Sequence, residues 1–252
     1  MGRPCAHGGA ALVEGGTTFL LVHGNWHGGW CWVRVADGLR ALGHRVLAPT
    51  QTGLGERRHL SSPALTVDSF VTDIANVIEA EELREVVLVG HSFAGIVISG
   101  VADRMADRLR RLVFLDAVIL QAGQSLLDGL PPEAVAARRR AIADHEAGGI
   151  PAPDPAAFGV TDGPDRDWLL RRLTPQPAHT HDSPLRLDHP LGNGLPCSYV
   201  SCTEPAMANI EPSRRQARAQ PGWDRHELRT GHDAMVTAPA ELARLLEEIA
   251  CA

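Results

Sequence analysis

Residues 85 to 100 read Glu-Val-Val-Leu-Val-Gly-His-Ser-Phe-Ala-Gly-Ile-Val-Ile-Ser-Gly, two apolar runs with a serine set between them among small residues. The first run suits a buried strand and the second a helix, so the chain must turn sharply at the serine. Such a strand-turn-helix, a nucleophile elbow, leaves Ser92 exposed at its apex and requires small residues two places before and two after it. Gly90 meets the first requirement. The second position holds Ala94, giving Gly-x-Ser-x-Ala followed by Gly95, and a methyl group there is tolerable.

Strand and helix patterns alternate on either side of this turn. Thr17 to His23 reads as a strand, Trp32 to Leu42 as a helix stopped by Gly43, and His44 to Ala48 as a strand closed by Pro49. Val67 to Glu82 carries Val67, Phe70, Val71, Ile74, Val77 and Ile78 at helical spacing. After the elbow come a strand over Arg111 to Leu115 ending at Asp116, a strand over Cys197 to Cys202, and a helix over Pro212 to Gln220. A strand over Arg225 to Arg229 and a helix over Pro239 to Ala250 close the chain. This alternation predicts an α/β domain with a mostly parallel sheet covered on both faces.

From Ala117 to about Asn193 the pattern breaks into Pro- and Gly-rich stretches with short helical pieces at Pro132 to Ala147 and Asp165 to Leu173. So long an excursion inside a compact domain reads as a helical cap insertion. The expected division is therefore a flexible leader over 1–16, a core over 17–116 and 194–252, and a cap over 117–193.

Composition narrows the chemistry. All 24 basic residues are arginine, which excludes Schiff-base chemistry, a lysine-anchored pyridoxal group and a Walker-type phosphate lysine. The net charge of −6, spread without long single-sign runs, gives no basis for nucleic acid or an anionic membrane as partner; a small molecule fits better. Five scattered cysteines without a Cys-x-x-Cys pair suggest neither a disulfide framework nor a zinc site. Met1 to Gly16 holds no apolar core of the signal-peptide kind, and no run approaches the ~20 apolar residues that span a bilayer, so a cytoplasmic protein is expected. A homodimer is compatible with all of this.

A serine hydroxyl needs an imidazole to take its proton and an acid to orient that imidazole. In hydrolases built on this elbow the order is serine, then carboxylate, then histidine. Near the end of the chain stand His226, inside a strand, and His232, in the loop Thr230-Gly231-His232-Asp233-Ala234-Met235, and the loop residue is the better placed to reach over the sheet edge.

The segments Leu21-Val22-His23-Gly24-Asn25-Trp26-His27-Gly28-Gly29-Trp30, Gly90-His91-Ser92-Phe93-Ala94-Gly95 and Gly231-His232-Asp233-Ala234-Met235, with the Gly53-Leu54-Gly55-Glu56-Arg57 loop, together resemble the α/β-hydrolase superfamily. More narrowly, they are similar to the branch holding plant methyl esterases, salicylate-binding esterases, hydroxynitrile lyases and small bacterial esterases. The resemblance implies an α/β-hydrolase fold and an oxyanion hole made by the backbone N–H groups of Asn25 and Phe93. It implies no metal and no organic cofactor. Plant members place an aspartate shortly after the strand matching Cys197 to Cys202, where this chain has Pro205 preceded by Glu204. Asp116, at the end of the preceding strand, is a second place from which the fold supplies an acid. Asp116 is expected ahead of Glu204.

The lyases of this group use a lysine near the histidine and a threonine where this chain has Gly24; both are missing here. The expected reaction is therefore hydrolysis of a small aromatic or apolar ester, carbamate or lactone through an acyl-enzyme. The alternative is a non-hydrolytic member, either a receptor-like ligand binder or a lyase or cyclase of secondary metabolism. By analogy with relatives that bind aromatic esters, His27, Trp30, Phe93, Trp168 and the cap histidines His179 and His181 are candidates to line the pocket.

Overall fold

The structure is a computed structural model describing residues 16–144 and 149–252. All of the expected leader but Gly16 lies outside the described residues. The strands are β1 (Thr18–Val22), β2 (Arg45–Leu47), β3 (Val86–His91), β4 (Leu109–Leu115), a two-residue antiparallel pair β5 (Gly149–Ile150) and β6 (Gln176–Pro177), then β7 (Cys197–Cys202) and β8 (Asp224–Leu228). Six of them form one sheet in the order β2-β1-β3-β4-β7-β8, every neighbour parallel. The order reverses between β1 and β3, and in open α/β sheets ligands bind outside the carboxyl ends of the strands at such a switch point.

Side chains alternate across this sheet. Leu20, Val22, Leu88, Leu112 and Phe114 point to one face, where they meet α2 (Val67–Ala80) and α3 (Ala94–Met105). Phe19, Leu21, Val87, Val89, Val113 and Leu115 point to the other, against α1 (Val33–Ala41) and the terminal helix Pro239–Cys251. All of these strand side chains are fully buried, and each fully buried Val, Leu or Phe stabilises the fold by roughly 1.5–3 kcal/mol relative to exposure. Five of the six apolar residues on the predicted face of α2 are buried, and Val77 packs partly against them. The edge strand β8 is more exposed, and its Arg225 and Glu227 discourage pairing with a further strand.

The register puts Val22 opposite Gly90 and His91 opposite Leu115. The segments leaving β1, β3 and β4, which carry Asn25, Ser92 and Asp116, therefore emerge side by side.

Between β4 and β7 the chain runs through α4 (Pro132–Asp144), β5, α5 (Pro164–Leu170), β6 and α6 (His179–Asp182). The last residues of the helix expected to Ala147 lie outside the described residues. The helix expected to Leu173 ends at Leu170, since Thr174 donates its N–H to the Trp26 carbonyl (3.0 Å) and Pro175 disfavours a helical residue before it. Three helices complete the chain: α7 (Glu211–Ala219), α8 (Ala234–Thr237) and α9 (Pro239–Cys251). Among the described residues no helix is long and apolar enough to cross a membrane.

Candidate active site

Ser92 sits between β3 and α3 with φ of 55°, a left-handed conformation that non-glycine residues rarely adopt. Three backbone hydrogen bonds hold it there. Its N–H donates to the Leu115 carbonyl (3.1 Å), and its carbonyl accepts from Gly95 (3.1 Å) and Val118 (2.8 Å). The turn is tight enough that a Cβ on Gly90 would lie 2.7 Å from the Ala94 carbonyl oxygen, and one on Gly95 would lie 2.3 Å from that of Val118. The methyl of Ala94 is fully buried in the core, and Gly95 beside it has no room for a Cβ.

His232 Nδ1 lies 2.7 Å from Asp116 Oδ2, and His232 Nε2 lies 2.9 Å from Ser92 Oγ. An ionised carboxylate only accepts, so Nδ1 carries the proton and Nε2 turns its lone pair to the serine hydroxyl. Asp116 is fully buried. Its Oδ1 also accepts from Arg214 Nε (3.0 Å), Arg214 Nη2 (2.8 Å) and the Cys202 N–H (3.2 Å). Burial pushes this carboxyl up, but the hydrogen bond from His232 and the Arg214 guanidinium outweigh it and hold Asp116 below the ordinary carboxylate range. Glu204, by contrast, is exposed and pairs with Arg229 (3.0 Å). Its carboxylate is engaged away from His232. His226 stays within β8.

Two imidazoles pin the peptides on either side of Asn25. His23 accepts the Gln51 N–H at Nε2 (3.1 Å) and so donates from Nδ1 to the Gly24 carbonyl (2.9 Å); burial lowers its pKa to about 3 and keeps it neutral. In a trans peptide the N–H of Asn25 points opposite to that carbonyl. His27 Nδ1 lies 2.7 Å from the Asn25 carbonyl. Among the described residues no acceptor takes the backbone N–H of Asn25 or of Phe93. Gly24 lies directly against the serine, where an added Cβ would come within 2.9 Å of Ser92 Cβ.

The side chains above Ser92 come largely from the excursion between β4 and β7. His181 is fully buried, stacks on Phe93 (centroids 5.5 Å apart) and donates from Nε2 to Asn25 Oδ1 (3.1 Å), because Arg138 Nη1 donates to its Nδ1 (3.1 Å). Phe158 packs between His232 (6.2 Å) and Trp26 (5.7 Å), and the Arg138 guanidinium lies over the Trp26 ring. The Phe158 carbonyl accepts the Asp233 N–H, and the Cα atom of Gly159 lies 3.0 Å from where a Cβ on Gly231 would stand. This close backbone approach explains the glycine before His232.

Four of the candidate pocket residues are engaged in other contacts. His27 is buried, with its ring nitrogens directed at the Asn25 carbonyl (2.7 Å) and Asp233 Oδ2 (3.2 Å). Trp30 and Trp168 pack edge to face on each other (4.9 Å) with Arg172 against both rings; Trp30 packs on His27, which in turn meets Phe158 beside His232. His179, named with them, is exposed and bonded to Asp182. Arg214, Trp26, Phe158, Arg138 and Asp233 were not singled out from the sequence. Arg214 is one of several arginines in a polar helix, and only its contact with Asp116 distinguishes it.

Among the described residues no group of three or more His, Cys, Asp or Glu side chains is arranged to hold a metal ion. The fold is that of α/β hydrolases, and residues 19–245 match the model of the alpha/beta hydrolase family, to which the chain belongs. It is 42% identical to a carbendazim hydrolyzing esterase of Nocardioides sp. (strain SG-4G), over 90% of this chain and 97% of that protein. It is 28% identical to methylesterase 10 of Arabidopsis thaliana, over 92% of this chain and 91% of the relative. Among solved structures it resembles an extracellular α/β-hydrolase from a Paenibacillus species that shares structural and functional homology with tobacco salicylic acid binding protein 2. The TM-score is 0.81 at 26% identity, over 92% of this chain and 98% of that one.

Proposed function

We propose that this protein is a serine hydrolase that cleaves a small aromatic ester or carbamate through an acyl-enzyme, with Ser92 as nucleophile, His232 as general base and acid, and Asp116 as the acid that orients it. The observation that carries this reading is the continuous chain Asp116 Oδ2 to His232 Nδ1 (2.7 Å) and His232 Nε2 to Ser92 Oγ (2.9 Å).

His232 takes the Ser92 proton as Oγ attacks the carbonyl carbon. Negative charge then develops on the carbonyl oxygen, and the Asn25 and Phe93 N–H groups receive it; losing one such donor typically costs ~3 kcal/mol in the transition state. His232 next protonates the leaving alkoxide or amine, activates a water, and the acyl group departs from Ser92. The residues 117–193 act as the cap, and Trp26, Phe158, Phe93 and His181 give the site planar walls that suit an aromatic acyl or leaving group. The similarity to the carbendazim hydrolyzing esterase makes carbendazim and methyl esters of small aromatic acids the first substrates to test. Gly24 and the lack of lysine give a lyase reading no support.

The test compares wild type with Ser92→Ala on p-nitrophenyl acetate and on these substrates, together with intact mass after exposure to a fluorophosphonate. Serine-dependent turnover and an adduct on Ser92 are expected. Equal turnover by the two proteins, or no adduct, would overturn the proposal.

A further inference from the structure

Behind the Ser92-His232-Asp116 chain lies a second buried carboxylate with no part in the mechanism above. Asp233 follows His232 directly, is fully buried, and accepts from His27 Nε2 (3.2 Å). The other nitrogen of His27, Nδ1, faces the Asn25 carbonyl at 2.7 Å. Both ring nitrogens therefore point at acceptors, and only the imidazolium carries two protons to satisfy them. His27 and Asp233 form a buried ion pair that bridges the Asn25 loop and the His232 loop.

The same carboxylate also approaches the elbow. Its Oδ1 lies 3.9 Å from His91 Nε2, which donates instead to the His232 carbonyl (2.9 Å), and the His91 and His232 rings are 4.6 Å apart. Asp233 Oδ1 has no hydrogen-bond partner, nor does His91 Nδ1. A buried ion pair with a half-satisfied carboxylate adds little net stability compared with apolar side chains of the same volume. Its value must lie in the positions it sets.

Resting on the serine-hydrolase reading, we infer that His27 and Asp233 are positioning residues, a buried imidazolium-carboxylate pair that locks the Asn25 peptide at the oxyanion site to the turn carrying His232. The titratable groups facing the pair are His23 and His91, both kept neutral by burial, then His232, and the thiols of Cys31 and Cys202, which burial pushes well above their ordinary range. Raising the pH until His27 loses a proton leaves one of its two acceptors without a donor, and the Asn25 loop is then released from the histidine loop. Removing the Asp233 charge makes that deprotonation easier and moves it to lower pH.

The experiment uses the full chain as wild type, Ser92→Ala, His27→Gln, Asp233→Asn and the His27→Gln/Asp233→Asn double variant. Circular dichroism establishes folding, p-nitrophenyl acetate gives kcat and KM across neutral and alkaline pH, and nitrogen-resolved NMR of histidine-labelled protein reads the protonation of His27. Expected are an imidazolium at His27 in neutral solution and a kcat lowered about 10²-fold in each single variant with KM within about threefold. The double variant should be no slower than either single one, and the alkaline limb of kcat/KM should move down in pH in Asp233→Asn. Folded single variants with kcat within about threefold of wild type overturn the inference, as does a neutral His27. Should Asp233→Asn fail to fold, His27→Gln and the NMR reading decide. Equal turnover by wild type and Ser92→Ala instead removes the underlying hydrolase reading, a result separate from either of these.

Discussion

Arg214 grips Asp116 from below: Nε and Nη2 of the guanidinium both donate to Oδ1, at 3.0 and 2.8 Å, while Oδ2 is turned to His232 at 2.7 Å. Arg214 is itself buried and donates further to the Cys202 and Met207 carbonyls. Nη2 also reaches Oδ2 (3.1 Å), so both carboxylate oxygens are held while Oδ2 stays turned to the imidazole. The arginine comes from α7 and the aspartate from the end of β4, 98 residues apart.

Replacing Asp116 by Asn is expected to lower kcat by about 10³–10⁴-fold, since an amide at that place favours the wrong histidine tautomer. Replacing Glu204 by Gln removes only an exposed pair with Arg229 and should leave kcat within about threefold. Steady-state hydrolysis of p-nitrophenyl acetate by the two variants checks this. Loss of turnover in the Glu204 variant alone would reverse the assignment of the acid.

Arg214→Met leaves Asp116 buried with its cation removed, which should cost about 3–5 kcal/mol, read as a lower urea midpoint at neutral pH. The pH dependence follows from the sign of the Asp116 shift. Its folded pKa lies below the unfolded value, so its contribution is fully present above the unfolded pKa and is lost as pH falls through the folded one. Without Arg214 the folded pKa rises, and acid unfolding should begin at higher pH than in wild type.

Gly95→Ala should destabilise by about 1–3 kcal/mol, because its Cβ meets a backbone carbonyl that cannot move aside cheaply. Thermal denaturation of Gly95→Ala checks the close approach of Gly95 to the Val118 carbonyl; an unchanged Tm would refute it.

His23 and His91 are buried and neutral, each with pKa lowered to about 3. Their folded pKa lies below the unfolded value, so between about 3 and 6.5 the unfolded chain binds the extra protons, and stability rises with pH by ~1.4 kcal/mol per unit for each histidine. The full contribution is present above about 6.5 and is lost on acidification. His91→Gln should flatten the slope of urea stability against pH in that window, and an unchanged slope would contradict a neutral buried His91.

Much of the sheet domain is legible in local pattern. The Val-rich run at Val86–His91, the strand at Cys197–Cys202, the helical spacing of Val67 to Ile78 and the closing helix all lie within a residue or two of their expected bounds, since period and turn residues act over a few positions. The excursion between β4 and β7 is less legible. Its pieces take their shape from contacts across the chain, such as Thr174 on Trp26 and Phe158 on Asp233, and short elements with little periodicity leave no such imprint on sequence. The pocket candidates are hard to sort for the same reason: a histidine reads alike whether it is buried against Phe93 and Asn25, as His181 is, or against Asp233, as His27 is.

The sequence by itself determined the elbow at Ser92, the loop position of His232, the parallel α/β architecture and the absence of lysine chemistry, because each rests on residue identity and short-range spacing. Only the tertiary structure decided which carboxylate stands 2.7 Å from His232 and which of the aromatic residues stand above Ser92. Asp116 and Glu204 are equivalent in chain order. What separates them is the register of β4 against β3 and β7 and an arginine from a helix 98 residues away, and long-range packing of that kind leaves no local signature.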